Sequence, residues 1–223
     1  MELVSSPILE KKNDFSFDAL DLGLIDYQEG LSVQQNIAFE IYSGRRKSAL
    51  ILCEHNPVIT LGRSADKKNI LKPEEELKNS GIGIYNVNRG GDVTLHLPGQ
   101  LVVYPIFDLR LLGCDIHKFL RKLEEVIILL LQDYGILAGR KENHTGVWVN
   151  GRKIASIGIA IRHWISSHGL SLNVDCDLSL FSLIRPCGED IIMTSMVREL
   201  NSGAISIVEI KKGIIDKFCD VLH

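Results

Sequence analysis

Three short segments of the chain combine residue types that could carry chemistry. In the first, residues 89–96, two adjacent glycines precede a strand-like run. Paired glycines let a backbone approach a ligand closely. Strand alternation would then place Asp92, Thr94 and His96 on one face. A glycine turn leading into an edge strand explains the same pattern equally well.

The second candidate is Lys153, which follows Asn150-Gly151, a dipeptide typical of two-residue hairpin turns. In the strand predicted after that turn, Lys153 shares its parity with Ile157 and Ile159, so we expect it on the apolar face. Burial there would lower the pKa of its ammonium toward that of a general base. The alternative is a lysine at a strand end whose stem is buried and whose charge reaches water.

The third candidate is Cys187, which lies between Pro186 and Gly188 in a predicted tight loop. A loop thiol beside a cation can ionise and act as a nucleophile, and the alternative is an inert loop cysteine. The other four cysteines are weaker candidates, since two lie in apolar patterns and two lie among aspartates: Cys53, Cys219, Cys114 and Cys176.

Composition excludes several classes of function. The chain has 223 residues with 25 Lys plus Arg against 28 Asp plus Glu, so no basic excess favours nucleic acid as a partner. The longest aliphatic run, residues 126–131, is far shorter than the ~20 residues of a membrane span. Five widely spaced cysteines and the absence of a secretory signal are typical of a cytoplasmic protein without membrane association.

Metal and cofactor motifs are also absent from the sequence. His96, His144 and His168 could ligate a metal, but no HxH, HExxH or CxxC spacing supports a site. The chain contains no P-loop, no GxSxG elbow and no GxGxxG fingerprint. We therefore expect neither a metal nor a cofactor.

The elements that must position these residues follow from periodicity and turn signals. Helices are predicted at 28–44, 73–81 and 115–134, with a last helix beginning near Ser206. Strands are predicted at 48–53, 58–62, 82–88, 92–96, 101–106 and 169–174, with a hairpin over 146–162. Hairpins interrupt any βαβ order, which predicts an α+β fold with a mixed β-sheet and packed helices. We expect a single catalytic domain over residues 28–223, preceded by an N-terminal segment, residues 1–27.

Taken together, the segments resemble the lipoyl(octanoyl) transferases. The matching stretches occur in the family's order: NPVITLGR (56–63), RGGDVTLHLPGQLVVYPIFDL (89–109), GVWVNGRKIASIGIAIR (146–162), HGLSLNV (168–174), DLSLF (178–182) and IRPCG (184–188). The likeness extends from about residue 30 to 200. Leu97 stands where the family usually has Gly, and Ser171 stands where Ala is commoner.

The resemblance implies a fold, a mechanism and a set of site residues. The fold would be that of the catalytic domains of biotin and lipoate protein ligases. Cys187 would hold the acyl group as a thioester, and Lys153 would lower the pKa of that thiol and move protons. The residues expected to bind the acyl substrate are Arg89, Gly90, Gly91, Asp92, Val93, Thr94, Leu95, His96, Ser156, Ile157, Gly158, Gly169, Leu170 and Ser171.

The implied reaction is octanoyl transfer from octanoyl-acyl carrier protein to a lysine of a lipoyl domain, the first step of endogenous protein lipoylation. The implied acceptors are the lipoyl domains of 2-oxoacid dehydrogenase complexes and the glycine cleavage H protein. Exchange of one thioester for another is nearly balanced and amide formation is downhill, so no ATP is required. Backbone N–H groups of the Cys187 loop or of residues 169–171 are both candidates for holding the oxyanion. Basic candidates for docking the acidic carrier are residues 45–47, or Lys67 and Lys68.

Other functions remain open at this stage. An ATP-dependent lipoate or biotin protein ligase would share the fold and would not need Cys187. A non-catalytic module that binds an acyl chain or a carrier protein would need neither Cys187 nor Lys153. A cysteine hydrolase is less favoured, because no His–Asn or His–Asp pair is marked to orient a base.

Overall fold

The structure is a computed structural model that describes residues 15–200 and 205–222. Its strands are β1 (Phe17–Ile25), β2 (Ser48–His55), β3 (Val58–Leu61), β4 (Gly83–Asn86), β5 (Val93–His96), β6 (Gln100–Ile106), β7 (Gly139–Lys141), β8 (His144–Val149), β9 (Arg152–Arg162) and β10 (Ile165–Asn173). Its α-helices are α1 (Tyr27–Tyr42), α2 (Glu74–Asn79), α3 (Ile116–Asp133), α4 (Met196–Leu200) and α5 (Ile207–Leu222). Four short 3-10 helices cover Lys67–Asn69, Leu109–Leu112, Leu178–Leu183 and Pro186–Gly188.

The strands form two mixed sheets. The larger has the order β1-β2-β6-β10-β9-β8-β7, in which β1 and β2 run parallel and the other neighbours run antiparallel. The smaller has the order β4-β3-β5, with β3 parallel to β4 and antiparallel to β5. This mixed α+β architecture confirms the fold class predicted from the sequence.

Helices cover both faces of the large sheet. On one face, α3 and α5 bury Leu123, Ile127 and Phe218 against strand residues such as Leu50. On the other face, α1 packs its Ile37 and neighbouring apolar residues against the alternate positions of the same strands. Successive strand side chains point to opposite faces, so a sheet covered on both sides needs nearly continuous apolar strands. β2 and β6 meet this requirement, since every residue of β6 is buried.

The bounds of α3 were predicted accurately because its N-cap residue and its apolar periodicity indicate the same helix. The carboxylate of Asp115 accepts the backbone N–H of Lys118 at 2.9 Å, as an N-cap should. The apolar residues that follow recur at helical spacing and form one buried stripe. The predicted range 115–134 therefore agrees with the observed helix to within one residue at each end.

Two strands, the short helix α4 and one turn were not predicted from the sequence. β1 and β7 were not predicted, and β10 begins four residues before the predicted strand 169–174. The turn between β9 and β10 consists of His163 and Trp164, both with positive φ (53° and 63°), in place of the glycine or asparagine that normally marks such turns. β1 lies inside the predicted N-terminal segment 1–27 and forms an edge of the large sheet. The predicted domain boundary at residue 27 stays a prediction.

A third apolar cluster supports the small sheet and the loop that carries Cys187. It contains Ile59, Leu95, Leu97, Phe181 and Met193, with further apolar neighbours. Leu97, which replaces a glycine usual in the resembling family, is 1% exposed, and it is not among the described residues that have a positive φ. The position therefore needs no glycine, and the leucine side chain adds to the core. Within the described residues, no helix is long and apolar enough to cross a membrane.

We expect Leu97→Ala to lower the free energy of unfolding by about 2–5 kcal/mol, because it leaves a cavity in this cluster. Urea denaturation followed by circular dichroism measures the change. Leu137→Ala is the matched control, since Leu137 is 87% exposed and should change stability by less than about 0.5 kcal/mol. Equal losses in the two variants would contradict the packing role assigned to Leu97.

Candidate active site

A cavity of about 560 Å³ is lined by residues of both sheets and of the Cys187 loop. Cys187 and Lys153 both line it, together with nearly all of the residues predicted to bind the acyl substrate. The exception is Leu95, which is fully buried in the apolar cluster beneath the small sheet and does not reach the cavity. The structure thus brings segments that are up to 98 residues apart in sequence to one place, and their roles as substrate ligands stay predictions.

Two of the predicted substrate segments are neighbours in the large sheet. Ser156 of β9 lies opposite Ser171 of β10, and Gly158 lies opposite Gly169. The antiparallel pairing therefore builds one continuous wall of the cavity from two separate sequence motifs. At Gly169, an added Cβ would lie 2.1 Å from the carbonyl oxygen of Val103 on β6. The close approach of β6 and β10 explains why this position requires glycine.

The loop over residues 89–91 closes against the same wall. Gly90 donates its N–H to the carbonyl of Ile159 on β9 at 2.8 Å, and Gly91 has φ +84°, a conformation that favours glycine. The Arg89 guanidinium is buried and donates to the Thr60 carbonyl (2.8 Å) and hydroxyl (2.9 Å) and to the Gly90 carbonyl (3.0 Å). Burial lowers the pKa of Arg89 from its ordinary value. A buried cation thus forms part of the cavity wall.

Cys187 is exposed at the cavity and has a left-handed backbone, with φ +59°. Its N–H donates to the Asp92 carboxylate at 2.6 Å. The next two N–H groups of the loop, those of Gly188 and Glu189, donate to the carbonyls of Arg185 (3.0 Å) and Pro186 (3.2 Å). All three amides are therefore occupied, so the expectation that this loop supplies the oxyanion donors is not supported by the structure.

Lys153 is half-buried at the start of β9, and its backbone is fixed from both sides. On one side, Lys153 lies opposite Trp148 of β8. On the other side, its N–H donates to the Ile192 carbonyl (2.8 Å) and its carbonyl accepts the N–H of Thr194 (2.9 Å). Residues 192–194 follow the Cys187 loop directly, so these two bonds bring the thiol-bearing segment to the lysine.

The surroundings of the Lys153 side chain are tightly packed. Its Nζ lies 5.4 Å from the centroid of the buried Trp148 ring, and the Nζ of Lys141 lies 4.5 Å from the same ring. A Cβ at Gly146, which has φ +125°, would lie 2.7 Å from the Lys153 Cε. The Gly146 N–H donates to the buried carboxylate of Glu124 at 3.1 Å. The fold thus restricts the conformations available to the ammonium.

Burial and mutual attraction act on the two groups in opposite directions. Burial lowers the pKa of Lys153, and the charge of a Cys187 thiolate raises it. Burial raises the pKa of the Cys187 thiol above its ordinary value, and the Lys153 ammonium lowers it. Asp92 and Glu189 raise the thiol pKa further, while Arg89 lowers it. Each member of the pair is thus the largest favourable influence on the charge of the other.

Tyr104, His96 and His168 line the cavity, and His55 lies against Tyr104. His55 Nδ1 donates to the Ile25 carbonyl (2.9 Å), so its Nε2 accepts the hydroxyl of Tyr104 (2.7 Å). His96 Nδ1 donates to Gln100 Oε1 (2.7 Å), because the Gln100 amide nitrogen donates elsewhere. Burial lowers the pKa of His96 to about 3 and that of His168 to about 4. Both imidazoles are therefore neutral at pH 7 and are poor bases.

The sequence analysis missed several residues that line the cavity. Tyr27 at the start of α1, Tyr104 and Val102 of β6, and Ile116 and Leu120 of α3 all contribute. Val102, Tyr104, Ile116 and Leu120 lie in elements predicted from apolar patterns, which do not distinguish a cavity wall from ordinary core. Tyr27 falls in the predicted N-terminal segment 1–27 and carried no signal. Another missed contact joins His144 to Glu189 across 3.0 Å, beside Cys187. No group of three or more potential metal ligands occurs among residues 15–200 and 205–222.

Proteins similar to this chain in sequence include a family of catalytic domains and several named octanoyltransferases. The model of the lipoyl protein ligase A/B catalytic domain matches residues 26–219. A protein named octanoyltransferase from Geotalea uraniireducens is 42% identical over 207 residues, which covers 89% of this chain and 93% of the relative. Another octanoyltransferase, from Caldicellulosiruptor bescii, is 50% identical over 184 residues and covers 81% of each chain.

Solved structures with the same fold are more distant in sequence. A putative lipoate protein ligase from T. acidophilum with bound lipoic acid superimposes with a TM-score of 0.73 at 19% identity, covering 93% of this chain and 86% of that one. A biotin protein ligase from Aquifex aeolicus gives a TM-score of 0.54 at 10% identity, covering 93% of this chain and 69% of that one. At these identities the likeness shows the fold, in agreement with the fold predicted from the resemblance.

The coupling of Lys153 to Cys187 predicts a specific effect on thiol reactivity. We expect Lys153→Met to slow alkylation of Cys187 by iodoacetamide about tenfold near neutral pH, because loss of the ammonium raises the thiol pKa by about one unit. Lys153→Arg should restore alkylation more than acyl transfer, since a guanidinium keeps its charge and does not release its proton.

Lys141→Met is the matched control, because Lys141 contacts the same tryptophan ring and does not influence the thiol directly. Its alkylation rate should stay within about twofold of the wild type. If Lys153→Met changed neither alkylation nor acyl transfer, Lys153 would be only a strand residue with an exposed charge.

Proposed function

Because this chain belongs to the lipoyl protein ligase A/B catalytic domain family, with octanoyltransferases as its relatives over most of its length, we propose that it transfers octanoyl through a Cys187 thioester. It is an acyltransferase of protein lipoylation. Its substrates are of the general classes that this activity requires, an acyl carrier protein and a lipoyl domain. The observation that carries the Cys187 assignment is the meeting of that thiol with Lys153 in one cavity.

The proposed first step exchanges one thioester for another. The Cys187 thiolate attacks the carbonyl carbon of octanoyl-acyl carrier protein, and the tetrahedral intermediate expels the thiolate of the carrier's phosphopantetheine. That leaving thiolate takes up a proton from the Lys153 ammonium. One C–S bond forms and one breaks, so the free energy of the thioester is retained on Cys187.

The proposed second step converts the thioester to an amide. A lysine amine of the lipoyl domain attacks the octanoyl carbonyl, Lys153 in its neutral form accepts the proton from that amine, and the Cys187 thiolate leaves. Burial lowers the pKa of Lys153, which favours the neutral amine needed here. An amide is more stable than a thioester, so this step is downhill without ATP.

The finer identity of the partners follows from the same proposal. The acceptors are the lipoyl domains of 2-oxoacid dehydrogenase complexes and the glycine cleavage H protein, since these present the lysine that carries the lipoyl group. The place of action is the cytoplasm. The five cysteines in the described part of the chain, all without disulfide partners, support a reducing compartment.

An ATP-dependent ligase is the principal alternative. The solved ligases share the fold at 10–19% identity, whereas relatives at 42–50% identity are named octanoyltransferases. A ligase activates its acid as an adenylate and gains nothing from a thiol beside a lysine. A non-catalytic module would likewise not need the backbone bonds that bring these two groups together. Both alternatives are less well supported than acyl transfer.

Intact-mass spectrometry tests the thioester directly. After incubation with octanoyl-acyl carrier protein, we expect one octanoyl adduct on the enzyme, removable by hydroxylamine and absent from Cys187→Ala. Cys114→Ala is the matched control because Cys114 is also an exposed loop thiol, and it should acquire the adduct normally. Normal turnover by Cys187→Ala would refute the thioester. ATP-dependent use of free octanoate, with no reaction from the carrier thioester, would favour the ligase.

Docking of the acidic donor should depend on Lys67 and Lys68. They occupy the short helix Lys67–Asn69, whose last residue, Asn69, accepts the N–H of Arg185 in the Cys187 segment. Neither lysine forms an ion pair with another described residue. By contrast, Arg46 pairs with Asp18 and Glu40. These contacts therefore support Lys67 and Lys68, rather than residues 45–47, as the docking site for the donor.

We expect replacing both Lys67 and Lys68 with Ser to raise the KM for octanoyl-acyl carrier protein about tenfold at low salt, with kcat within about twofold. Steady-state kinetics at increasing ionic strength measure the effect, which should shrink as salt screens the charges. The matched control replaces Arg45 and Lys47 with Ser and should leave KM unchanged. The reverse result would place donor docking at residues 45–47.

A further inference from the structure

Asp92 lies next to Cys187, and both oxygens of its carboxylate accept hydrogen bonds from protein N–H groups. Oδ2 accepts the Cys187 N–H at 2.6 Å and the Asn69 side-chain amide at 2.5 Å. Oδ1 accepts the N–H of Asp66 at 3.2 Å. Asp92 is buried, at the base of β5. The single carboxylate therefore joins three parts of the chain that are separated by 23 to 121 residues.

The hydrogen bond from the Cys187 N–H to Asp92 lies where the backbone of the Cys187 loop is most strained. Cys187 and Gly188 have consecutive positive φ values of 59° and 69°. A cysteine in this conformation persists only where the surrounding structure holds it. Asn69 adds a second hold, since its carbonyl accepts the N–H of Arg185 at 2.8 Å. Asp92 and Asn69 together clamp the loop from Arg185 to Cys187.

A contact with substrate does not explain this carboxylate. Both oxygens already accept protein N–H groups, and the negative charge raises the pKa of the Cys187 thiol, which opposes thiolate formation. Because the Asp92 charge opposes formation of the Cys187 thiolate, Asp92 must contribute to the site in another way. Its contribution is geometric, because it holds the N–H of the nucleophile itself.

We propose that Asp92 is a positioning residue that clamps the Cys187 loop in its left-handed conformation and so aims the thiol at Lys153 and at the substrate carbonyl. This proposal rests on the proposed acyl transfer for its kinetic consequence. It replaces the substrate-binding role that the sequence resemblance implied for Asp92. It also explains why the Cys187 amide does not serve as an oxyanion donor, since its proton is used by the clamp.

Asp92→Asn is the sharpest test because it keeps size and removes charge. One amide oxygen would face three donors, and the new NH₂ group would oppose at least one of them, so the loop should loosen. We expect kcat for octanoyl transfer to fall about 100-fold, as for a misplaced reacting group. The KM for octanoyl-acyl carrier protein should stay within about twofold, and the pH midpoint of Cys187 alkylation should shift downward because the carboxylate charge is gone.

Asp177→Asn is the matched control. Asp177 also holds a nearby short helix through its carboxylate, which accepts the N–H of Ser179 at 3.0 Å, but it does not line the cavity. It should leave kcat and the alkylation midpoint unchanged. If Asp92→Asn raised KM without lowering kcat, Asp92 would be a substrate ligand and the proposal would fail. An unchanged kcat with a lowered melting temperature would show a purely structural role and would also overturn it.

Asn69→Ala keeps the proposal testable if Asp92→Asn does not fold. It removes one strut of the clamp and leaves the Asp92 charge in place, so we expect kcat to fall about tenfold with an unchanged alkylation midpoint. Full activity in this variant would count against the clamp. Hydrogen exchange of the Cys187 amide requires no acyl substrate and reports the hydrogen bond from that N–H to Asp92. Faster exchange in Asp92→Asn and in Asn69→Ala would support the clamp even if the wild type failed to transfer octanoyl, and unchanged exchange in both variants would contradict the clamp. The two hypotheses can therefore fail separately.

Discussion

Two backbone hydrogen bonds between Lys153 and residues 192–194 are the constraint on which the site depends. They join the first residues of β9 to the segment that follows Cys187. The position of the Cys187 loop is therefore fixed relative to the strand that carries Lys153. Because these are main-chain bonds, they fix the geometry without specifying the side chains. Lys153 and Cys187, the two residues proposed to carry the reaction, lie at this junction and line the same cavity.

Burial gives that junction its electrostatic character. Burial disfavours the charged forms of the Lys153 ammonium and the Cys187 thiolate. Each charged group in turn stabilises the charge of the other. The charge of each group therefore alters the pKa of the other. Burial lowers the pKa of His96 to about 3 and that of His168 to about 4, so both are weaker bases than Lys153 in the same cavity. The buried Arg89 contributes a fixed positive charge to its wall.

The fold shared with lipoate and biotin protein ligases is compatible with two ways of activating the acyl group. A ligase must bind ATP and make an adenylate, whereas a transferase receives a substrate that is already activated as a thioester. The transferase therefore needs only a thiol that can receive the acyl group and a neighbour that can hold and release a proton. The proposed mechanism therefore assigns the chemistry to Cys187 and Lys153, and the Asp92 carboxylate accepts the N–H of the cysteine.

The sequence by itself determined the features that depend on local pattern. The apolar stripe and Asp115 cap of α3, the Asn150-Gly151 hairpin and the order of the motifs all follow from neighbouring residues, and together they indicated the family, Cys187 and Lys153. Only the tertiary structure decided that Leu95 packs in the core, that the turn at His163 and Trp164 forms without glycine, and that Asp92 binds Cys187 across 95 residues. Tyr27 and Tyr104 joined the cavity in the same way. These features depend on contacts between distant segments, and such contacts leave no periodic signal in the sequence because each partner alone is compatible with ordinary burial.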